Sequence, residues 1–289
     1  MRQQNARRLR RAASAAAGAA TTALSVGLVA ATAAGAATGG VSAAATSATV
    51  KLTNPTAGAT VVYDGGLGNA NNLRVFRENG QVAVTDNVVI TPGQGCRAVS
   101  ARKVLCDPTF AGRTVRTVFV QLKDLGDIAS VEGAFAGQVF GDGGDDVLRA
   151  GHDDATGSSA IVYSGGVGFD NVSYSGSPVG VTVTLDGLAI DGRGSAGARD
   201  NVGDDVERVS GSEFADTLTG DERRNSLLGL GGADTINPGA DVDEVFGGGA
   251  ADVFLLRDGF VDVADGGSGV DRATIDRSFD AVTAVESVS

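Results

Sequence analysis

The sequence predicts an all-β protein in which a small β domain precedes a parallel β-roll, or β-solenoid, of nine-residue repeats. Three observations support this fold class. Glycine accounts for 44 of the 289 residues, which is typical of a chain with many tight turns. Large apolar residues recur at every ninth position in the C-terminal half. Short alternating segments and turn residues fill the preceding part, and no helical period persists.

Residues 1–45 are predicted to be a secretory signal with an Ala-rich leader. Five arginines in residues 1–11 precede an Ala-rich apolar segment at 12–29, and small residues at 34–36 and 43–45 offer cleavage sites. An uncleaved membrane anchor is the alternative, although alanine and glycine contribute little transfer free energy. We therefore expect an extracellular protein with no membrane span once the signal is removed.

The charge of the remaining chain is strongly negative. After the leader, 18 basic and 35 acidic residues remain, which is a net charge of −17. Such a chain has no general affinity for nucleic acid or anionic lipid, so neither is predicted as a partner. Acidity can serve solubility alone, but the spacing of the aspartates favours the binding of cations.

Residues 46–135 are predicted to form the small β domain. Alternating segments at 48–52, 82–84 and 113–120 read as strands, and glycine-containing turns separate them. Cys96 and Cys106 should pair in an oxidising compartment, where closing so short a loop contributes roughly 2–3 kcal/mol. Two free thiols are the alternative.

Residues 136–276 contain the repeats. Five consecutive nine-residue units begin at Gly211, and each has Asp or Asn in its sixth position and an apolar residue in its eighth. The sixth residues are Asp216, Asn225, Asp234, Asp243 and Asp252. The eighth residues are Leu218, Leu227, Ile236, Val245 and Phe254. Residues 175–203 interrupt the array as an insertion, and residues 277–289 are predicted to cap its last turn.

Three further units lie outside this run. They begin at Gly141, Gly165 and Gly266, and their sixth residues are Asp146, Asp170 and Asp271. The unit at Gly266 is one residue out of phase with the main run. An insertion of one residue must therefore lie between them.

The nine-residue period predicts stacked carboxylates. A unit can make a six-residue turn and a three-residue strand, so the loops on one edge come from every second unit. Asp216, Asp234 and Asp252 should then stack on one edge, and Asn225 and Asp243 on the other. Two carboxylates about 4.8 Å apart repel by roughly 3–4 kcal/mol at an effective dielectric near 20. Such columns favour a bound cation, and the oxygen-only donors favour Ca²⁺ over softer metals.

The pattern Gly-Gly-x-Gly-x-Asp-x-apolar-x resembles the haemolysin-type (RTX) calcium-binding repeats of secreted bacterial proteins, over about half of the chain. The resemblance implies that sixth-position side chains and backbone carbonyls of stacked loops bind Ca²⁺. The side chains carried over are Asp146, Asp170, Asp216, Asn225, Asp234, Asp243, Asp252 and Asp271. The loop glycines carried over are Gly141, Gly144, Gly165, Gly166, Gly168, Gly229, Gly231, Gly247, Gly249, Gly266 and Gly269.

Two units depart from the family pattern. The unit 211–216 keeps only its first glycine, and the unit 220–225 lacks the second and fourth glycines and has Asn225 in place of aspartate. Weaker or vacant sites are expected there. The alternative for the whole array is a solenoid in which the aspartates cap turns without metal. If calcium does bind, the charged columns should hold the array open until it does, so binding would drive folding.

No enzyme is predicted. His152 is the only histidine, so a two-histidine metal site is impossible, and no Gly-x-Ser-x-Gly motif occurs. The alternative is a secreted hydrolase or epimerase that carries the repeats as a tail. A third possibility is a surface adhesin in which calcium stiffens a spacer, with a protein or surface partner that the sequence does not identify.

Overall fold

A computed structural model describes residues 46–53, 58–150, 160–188, 190–193, 200–276 and 280–289. All regular secondary structure in these ranges is β-strand, which confirms the all-β class for this part of the chain. The described residues contain no helix that is long and apolar enough to cross a membrane. The predicted signal and leader, and also His152, lie outside the described residues.

The strands are short, and turns separate them at close intervals along the chain. They are β1 (Ala48–Thr53), β2 (Ala59–Asp64), β3 (Asn72–Glu78), β4 (Gln81–Thr85), β5 (Ile90–Pro92), β6 (Cys96–Ser100), β7 (Lys103–Cys106), β8 (Thr109–Phe110), β9 (Arg113–Gln121), β10 (Ile128–Val131), β11 (Ala136–Gly143), β12 (Val147–Arg149), β13 (Ala160–Val167), β14 (Asn171–Ser173), β15 (Val181–Thr184), β16 (Gly192–Arg193), β17 (Asn201–Val202), β18 (Arg208–Ser210), β19 (Thr217–Thr219), β20 (Ser226–Gly231), β21 (Thr235–Asn237), β22 (Glu244–Gly249), β23 (Val253–Leu255), β24 (Val263–Ser268), β25 (Arg272–Thr274), β26 (Ala281–Thr283) and β27 (Ser287–Val288).

The strands of the described residues form three sheets, and most neighbouring strands are parallel. Sheet 1 has the order β17-β13-β11-β9-β2-β1-β5, with β8 paired to β9. Sheet 2 has the order β26-β24-β22-β20-β18-β14-β12-β10-β3-β4-β7-β6. Sheet 3 has the order β16-β15-β19-β21-β23-β25-β27. From β18 onward the chain passes alternately between sheet 2 and sheet 3, so each new strand lies beside the strand two places earlier.

The strand register confirms that every second unit of the repeat stacks on the same edge. In sheet 3, Thr217 is paired with Thr235, and Thr235 with Val253, so each step spans two nine-residue units. The next step, from Val253 to Arg272, is longer by a single residue. The extra residue lies in the loop 256–262, which has seven residues where the loops 220–225 and 238–243 have six. The predicted one-residue insertion is thereby located.

The repeated apolar position supplies the core between sheets 2 and 3. Leu218, Leu227, Ile236, Val245 and Phe254 are all 0 % exposed and belong to one hydrophobic cluster. Burying a side chain of this size stabilises the fold by roughly 1.5–3 kcal/mol. The prediction that one side chain of each short strand points inward is therefore confirmed.

The sheets continue into the segments on either side of the repeats. β9 pairs with β11 and β10 with β12, so sheets 1 and 2 both cross residue 135. The insertion 175–203 contains β15, which pairs with β19 at the end of sheet 3. In the N-terminal part, Cys96 and Cys106 lie opposite each other in the β6–β7 hairpin and form a disulfide, as predicted.

Candidate metal centre

Acidic and amide residues directly precede the strands of sheets 2 and 3, and they form two columns. The first column precedes sheet 2 and consists of Asn71, Asp127, Asp146, Asp170, Glu207, Asn225, Asp243, Asp262 and Asp280. The second column precedes sheet 3 and consists of Asp216, Asp234, Asp252, Asp271 and Glu286. The predicted site side chains are therefore divided between the two edges as the repeat spacing requires.

Each column is held together by hydrogen bonds of one kind. The backbone N–H of Asp234 donates to Oδ1 of Asp252 over 2.9 Å, and the N–H of Asp252 donates to Oδ1 of Asp271 over 2.8 Å. In the first column, the N–H of Asp146 donates to Oδ1 of Asp170 over 2.8 Å. The same bond links the first column from Asn71 to Glu207 and again from Asn225 to Asp280. One oxygen of each carboxylate is thus used to bind the preceding loop.

The other oxygen is buried without a partner in most of the column aspartates. Oδ2 accepts no hydrogen bond from any described residue in Asp127, Asp146, Asp170, Asp234, Asp243, Asp252, Asp262 and Asp271. Leaving a buried acceptor unsatisfied costs about 1–3 kcal/mol, and more when the group is charged. Such unsatisfied oxygens recur in regular order along both columns.

Glycine is the first residue in five of the loops that carry a free Oδ2. A side chain on Gly141, Gly165, Gly229, Gly247 or Gly266 would collide with Oδ2 of the aspartate five residues later. It would also collide with a carbonyl oxygen of the stacked loop; a Cβ on Gly229, for example, would lie 2.6 Å from the carbonyl oxygen of Gly247. Glycine is required at these positions because a carboxylate oxygen and a carbonyl oxygen converge where a Cβ would stand.

A positive φ at the second residue of the loop accompanies a free Oδ2. This φ angle is positive in the loops of Asp127, Asp146, Asp170, Asp234, Asp243, Asp252 and Asp271, whereas Asp262, whose loop is longer by one residue, has a free Oδ2 without it. The second residues are Lys123, Asp142, Gly166, Leu230, Gly239, Gly248 and Gly267. A positive φ is unfavourable for residues other than glycine, and it is especially unfavourable for Leu230 at 77°. This conformation therefore recurs even where the side chain opposes it.

The two units that depart from the family pattern lack this conformation. Ser212 donates its N–H to Oδ2 of Asp216 over 2.6 Å and its hydroxyl to Oδ1 over 2.8 Å. Asp221 donates its N–H to Oδ1 of Asn225 over 2.8 Å. The polar groups of these loops are satisfied by the chain itself, and weak or vacant sites there remain a prediction.

The remaining predicted glycines have other positions. Gly144, Gly168 and Gly269 are fourth residues, and a side chain on any of them would collide with the backbone of the loop stacked against it. Gly231 and Gly249 are third residues, where a Cβ would meet nothing closer than 3.0 Å and 3.7 Å, respectively. Close packing therefore disfavours a side chain at these three fourth positions more than at the third, although Ala250 occupies the fourth position of its own loop.

Burial raises the pKa of most column aspartates. The pKa of Asp146, Asp234 and Asp243 is raised to about 7, and that of Asp127 to about 8. Desolvation is the largest cause, the hydrogen bond from the preceding backbone N–H partly offsets it, and neighbouring carboxylates raise the pKa further. These carboxyl groups are costly to ionise unless a cation accompanies them.

Sequence reasoning missed Asp127 and Asp262 as members of the first column. Each lies two residues before an alanine, Ala129 or Ala264, that occupies the inward position of its strand. Neither loop has glycine in its first or second position, so the repeated glycine pattern does not mark these two aspartates. Two features together identify them. Each is an aspartate two residues before a small or apolar residue, and each lies about two repeat units from another member of the column.

Comparisons with known proteins add no relative to this description. No family model matches the chain, and no curated protein matches it.

Proposed function

We propose that this protein binds calcium ions in the glycine loops of a parallel β-roll of the haemolysin type. The observation that carries the proposal is the regular row of buried carboxylate oxygens that no described residue satisfies. A cation is the partner that such a row needs, because added hydrogen-bond donors would relieve desolvation but not the repulsion between stacked charges.

The donor set favours calcium among the cations. Around the second column, Asp234, Asp252 and Asp271 offer carboxylate oxygens. The carbonyl oxygens of Gly247, Gly266 and Ala284 lie close to the first glycines of these loops. Around the first column, Asp146 and Asp170 face the carbonyls of Gly165 and Asp205. Calcium takes six to eight oxygen ligands in flexible geometry, whereas Zn²⁺ and copper favour nitrogen and sulfur.

Calcium binding would be coupled to folding. Without cations, the stacked carboxylates must either ionise at a cost or take up protons, and both alternatives weaken the array at neutral pH. Millimolar calcium is found outside cells, so we infer that the protein works there as a calcium-stabilised structural or surface-interaction module.

Isothermal titration of the full chain with CaCl₂ tests the proposal. We expect several binding equivalents, a higher melting temperature with calcium than with chelator, and a β-type circular dichroism spectrum that weakens when chelator is added. MgCl₂ at the same concentration is the control, since Mg²⁺ gives up its water reluctantly. A melting curve that is identical in calcium and chelator would contradict the proposal.

A further inference from the structure

Three carboxylates converge at the longer loop between β23 and β24. The loop 256–262 brings Asp258 to the first column, next to Asp243 and Asp262. One carboxylate oxygen from each of the three residues lies within 4.8 Å of the other two. The repeat pattern assigned Asp243 to a glycine-loop site and gave Asp258 and Asp262 no such role.

Each of the three side chains has one buried oxygen without a partner among the described residues. Asp243 and Asp262 are both 0 % exposed, whereas Asp258 lies nearer the surface. The Oδ2 atoms of Asp243, Asp258 and Asp262 are buried and accept no hydrogen bond from the described residues. Asp258 is held in place through its other oxygen, because Oδ1 accepts the N–H of Phe260 over 2.8 Å. The cluster is therefore more than an acidic surface, since two of its residues are fully buried and all three have an unsatisfied buried oxygen.

The cluster is built differently from the glycine loops. Its two loops begin with Pro238 and Leu256, whereas the loops that start at Gly141, Gly165, Gly229, Gly247 and Gly266 have glycine in this position. Leu256 is also fully buried. A third carboxylate, that of Asp258, comes from the loop that is longer by one residue.

We propose that Asp243, Asp258 and Asp262 form an additional calcium site, which binds more tightly than the glycine loops. An ion with calcium–oxygen distances of about 2.3–2.6 Å holds oxygens up to roughly 5 Å apart, while Mg²⁺ at about 2.1 Å requires a smaller cluster. Three carboxylates also supply more negative charge than a glycine loop, and charge count raises calcium affinity. The site rests on the proposed calcium binding and extends it to donors outside the repeat pattern.

Calcium titration of the full chain with matched variants tests this site. Asp258→Asn keeps the oxygen that accepts from Phe260 and removes one charge, so the tightest equivalent should weaken roughly tenfold or more. Asp258→Ala, which has no side-chain oxygen, should remove that equivalent. Asp107→Asn is the control, because Asp107 is exposed and lies outside both columns and their loops. The control should leave every equivalent unchanged.

The outcomes separate this site from the function proposed above. Suppose that the wild-type chain binds calcium and that Asp258→Ala keeps all binding equivalents and the tightest affinity. This result would contradict the additional site but not calcium binding in the glycine loops. A wild-type chain that binds no calcium overturns both. Melting curves in chelator show whether the variants are folded, and Asp258→Asn should melt no lower than wild type because it relieves repulsion.

Discussion

The two oxygens of a column aspartate have different surroundings, and in the six-residue loops these follow the backbone conformation of the second residue. Where that residue has a positive φ, as at Leu230, Oδ2 of Asp234 is left free. Where it does not, as at Ser212, its N–H satisfies Asp216. In these loops a free Oδ2 and a satisfied one therefore accompany different backbone angles at a single residue.

Replacing a free carboxylate should have the opposite effect from replacing a satisfied one. Asp252→Asn keeps an oxygen for the N–H of Asp234 and puts an NH₂ group next to the carbonyl of Gly266. We expect it to stabilise the calcium-free protein by about 1–2 kcal/mol and to weaken calcium binding.

Asp216→Asn is the matched control for that substitution. Its NH₂ group would face the N–H of Ser212, so we expect a loss of about 1–3 kcal/mol and an unchanged calcium stoichiometry. Denaturant unfolding in chelator and calcium titration measure the two effects. Equal stability changes in the two variants would refute the assignment of the oxygens.

Leu230→Gly should relieve backbone strain. Leucine at a φ of 77° costs about 1–2 kcal/mol, which glycine would relieve. Glycine also increases the conformational entropy of the unfolded chain, and this offsets part of the stabilisation. The expected net stabilisation is about 0.5–1 kcal/mol by denaturant unfolding. Asp221→Gly, at the same loop position without a positive φ, should destabilise instead. A loss of stability in Leu230→Gly would contradict this account.

At the scale of elements, each loop depends on the loop that follows it. The N–H of Asp271 donates to Oε2 of Glu286 over 2.7 Å, and the N–H of Asp262 donates to Asp280 over 3.1 Å. Asp280 and Glu286 belong to the segment predicted as a cap, and they complete the two columns at the C-terminal end. The segment caps the array by continuing its hydrogen bonds.

Removing the last acceptor of the second column should loosen only the end of the array. Glu286→Ala leaves the N–H of Asp271 without its carboxylate, so its hydrogen exchange should accelerate roughly tenfold, equivalent to about 1.4 kcal/mol. Glu286→Gln retains an acceptor oxygen and should exchange as the wild type does. Amide exchange by NMR distinguishes them, and unchanged protection in Glu286→Ala would show that the bond is unimportant.

The elements that could be predicted from the sequence are those with a strict period. The stacking of every second unit followed from Leu218, Leu227, Ile236, Val245 and Phe254, because one inward position per short strand leaves no other register. Asp127 and Asp262 were not found, since their loops lack the glycines that begin the repeats. Asp258 was not assigned either, because a one-residue insertion has no periodic signal.

At the scale of the whole molecule, the acidic charge is concentrated where the columns are. Residues 136–289 contain nine basic and 28 acidic residues, whereas residues 46–135 contain nine and seven. The pairings of β9 with β11 and of β10 with β12 join the two parts through continuous sheets. These pairings depend on contacts between distant segments without a shared repeat, so the sequence alone did not reveal them.

The raised pKa values predict how the whole molecule responds to pH. The pKa is about 8 for Asp127, about 7 for Asp146, Asp234 and Asp243, and about 6 for Asp170 and Asp262. Each of these pKa values lies above the usual aspartate value near 4. Between about pH 4 and pH 8 the folded state therefore holds more protons than the unfolded state. The free energy of unfolding therefore falls as pH rises through this range.

We accordingly expect the melting temperature in chelator to fall by roughly 5–10 °C between pH 5 and pH 8. The difference between the melting temperatures with and without calcium should grow over the same range, because the ion requires ionised ligands. Differential scanning calorimetry at matched ionic strength measures both trends. A calcium-free protein that becomes more stable toward pH 8 would contradict the assigned burial of these groups.

The direction of the column hydrogen bonds has a consequence for biosynthesis. Most amides in a column donate to an acceptor that is encoded later in the gene, usually about one pair of strands downstream. The chain leaves the ribosome N-terminus first, so the most recently synthesised loops lack their hydrogen-bond acceptors. Residues 280–289 provide the acceptors for the loops that precede them. Loss of the codons for this segment should thus harm the protein more than an equal loss from within a surface turn.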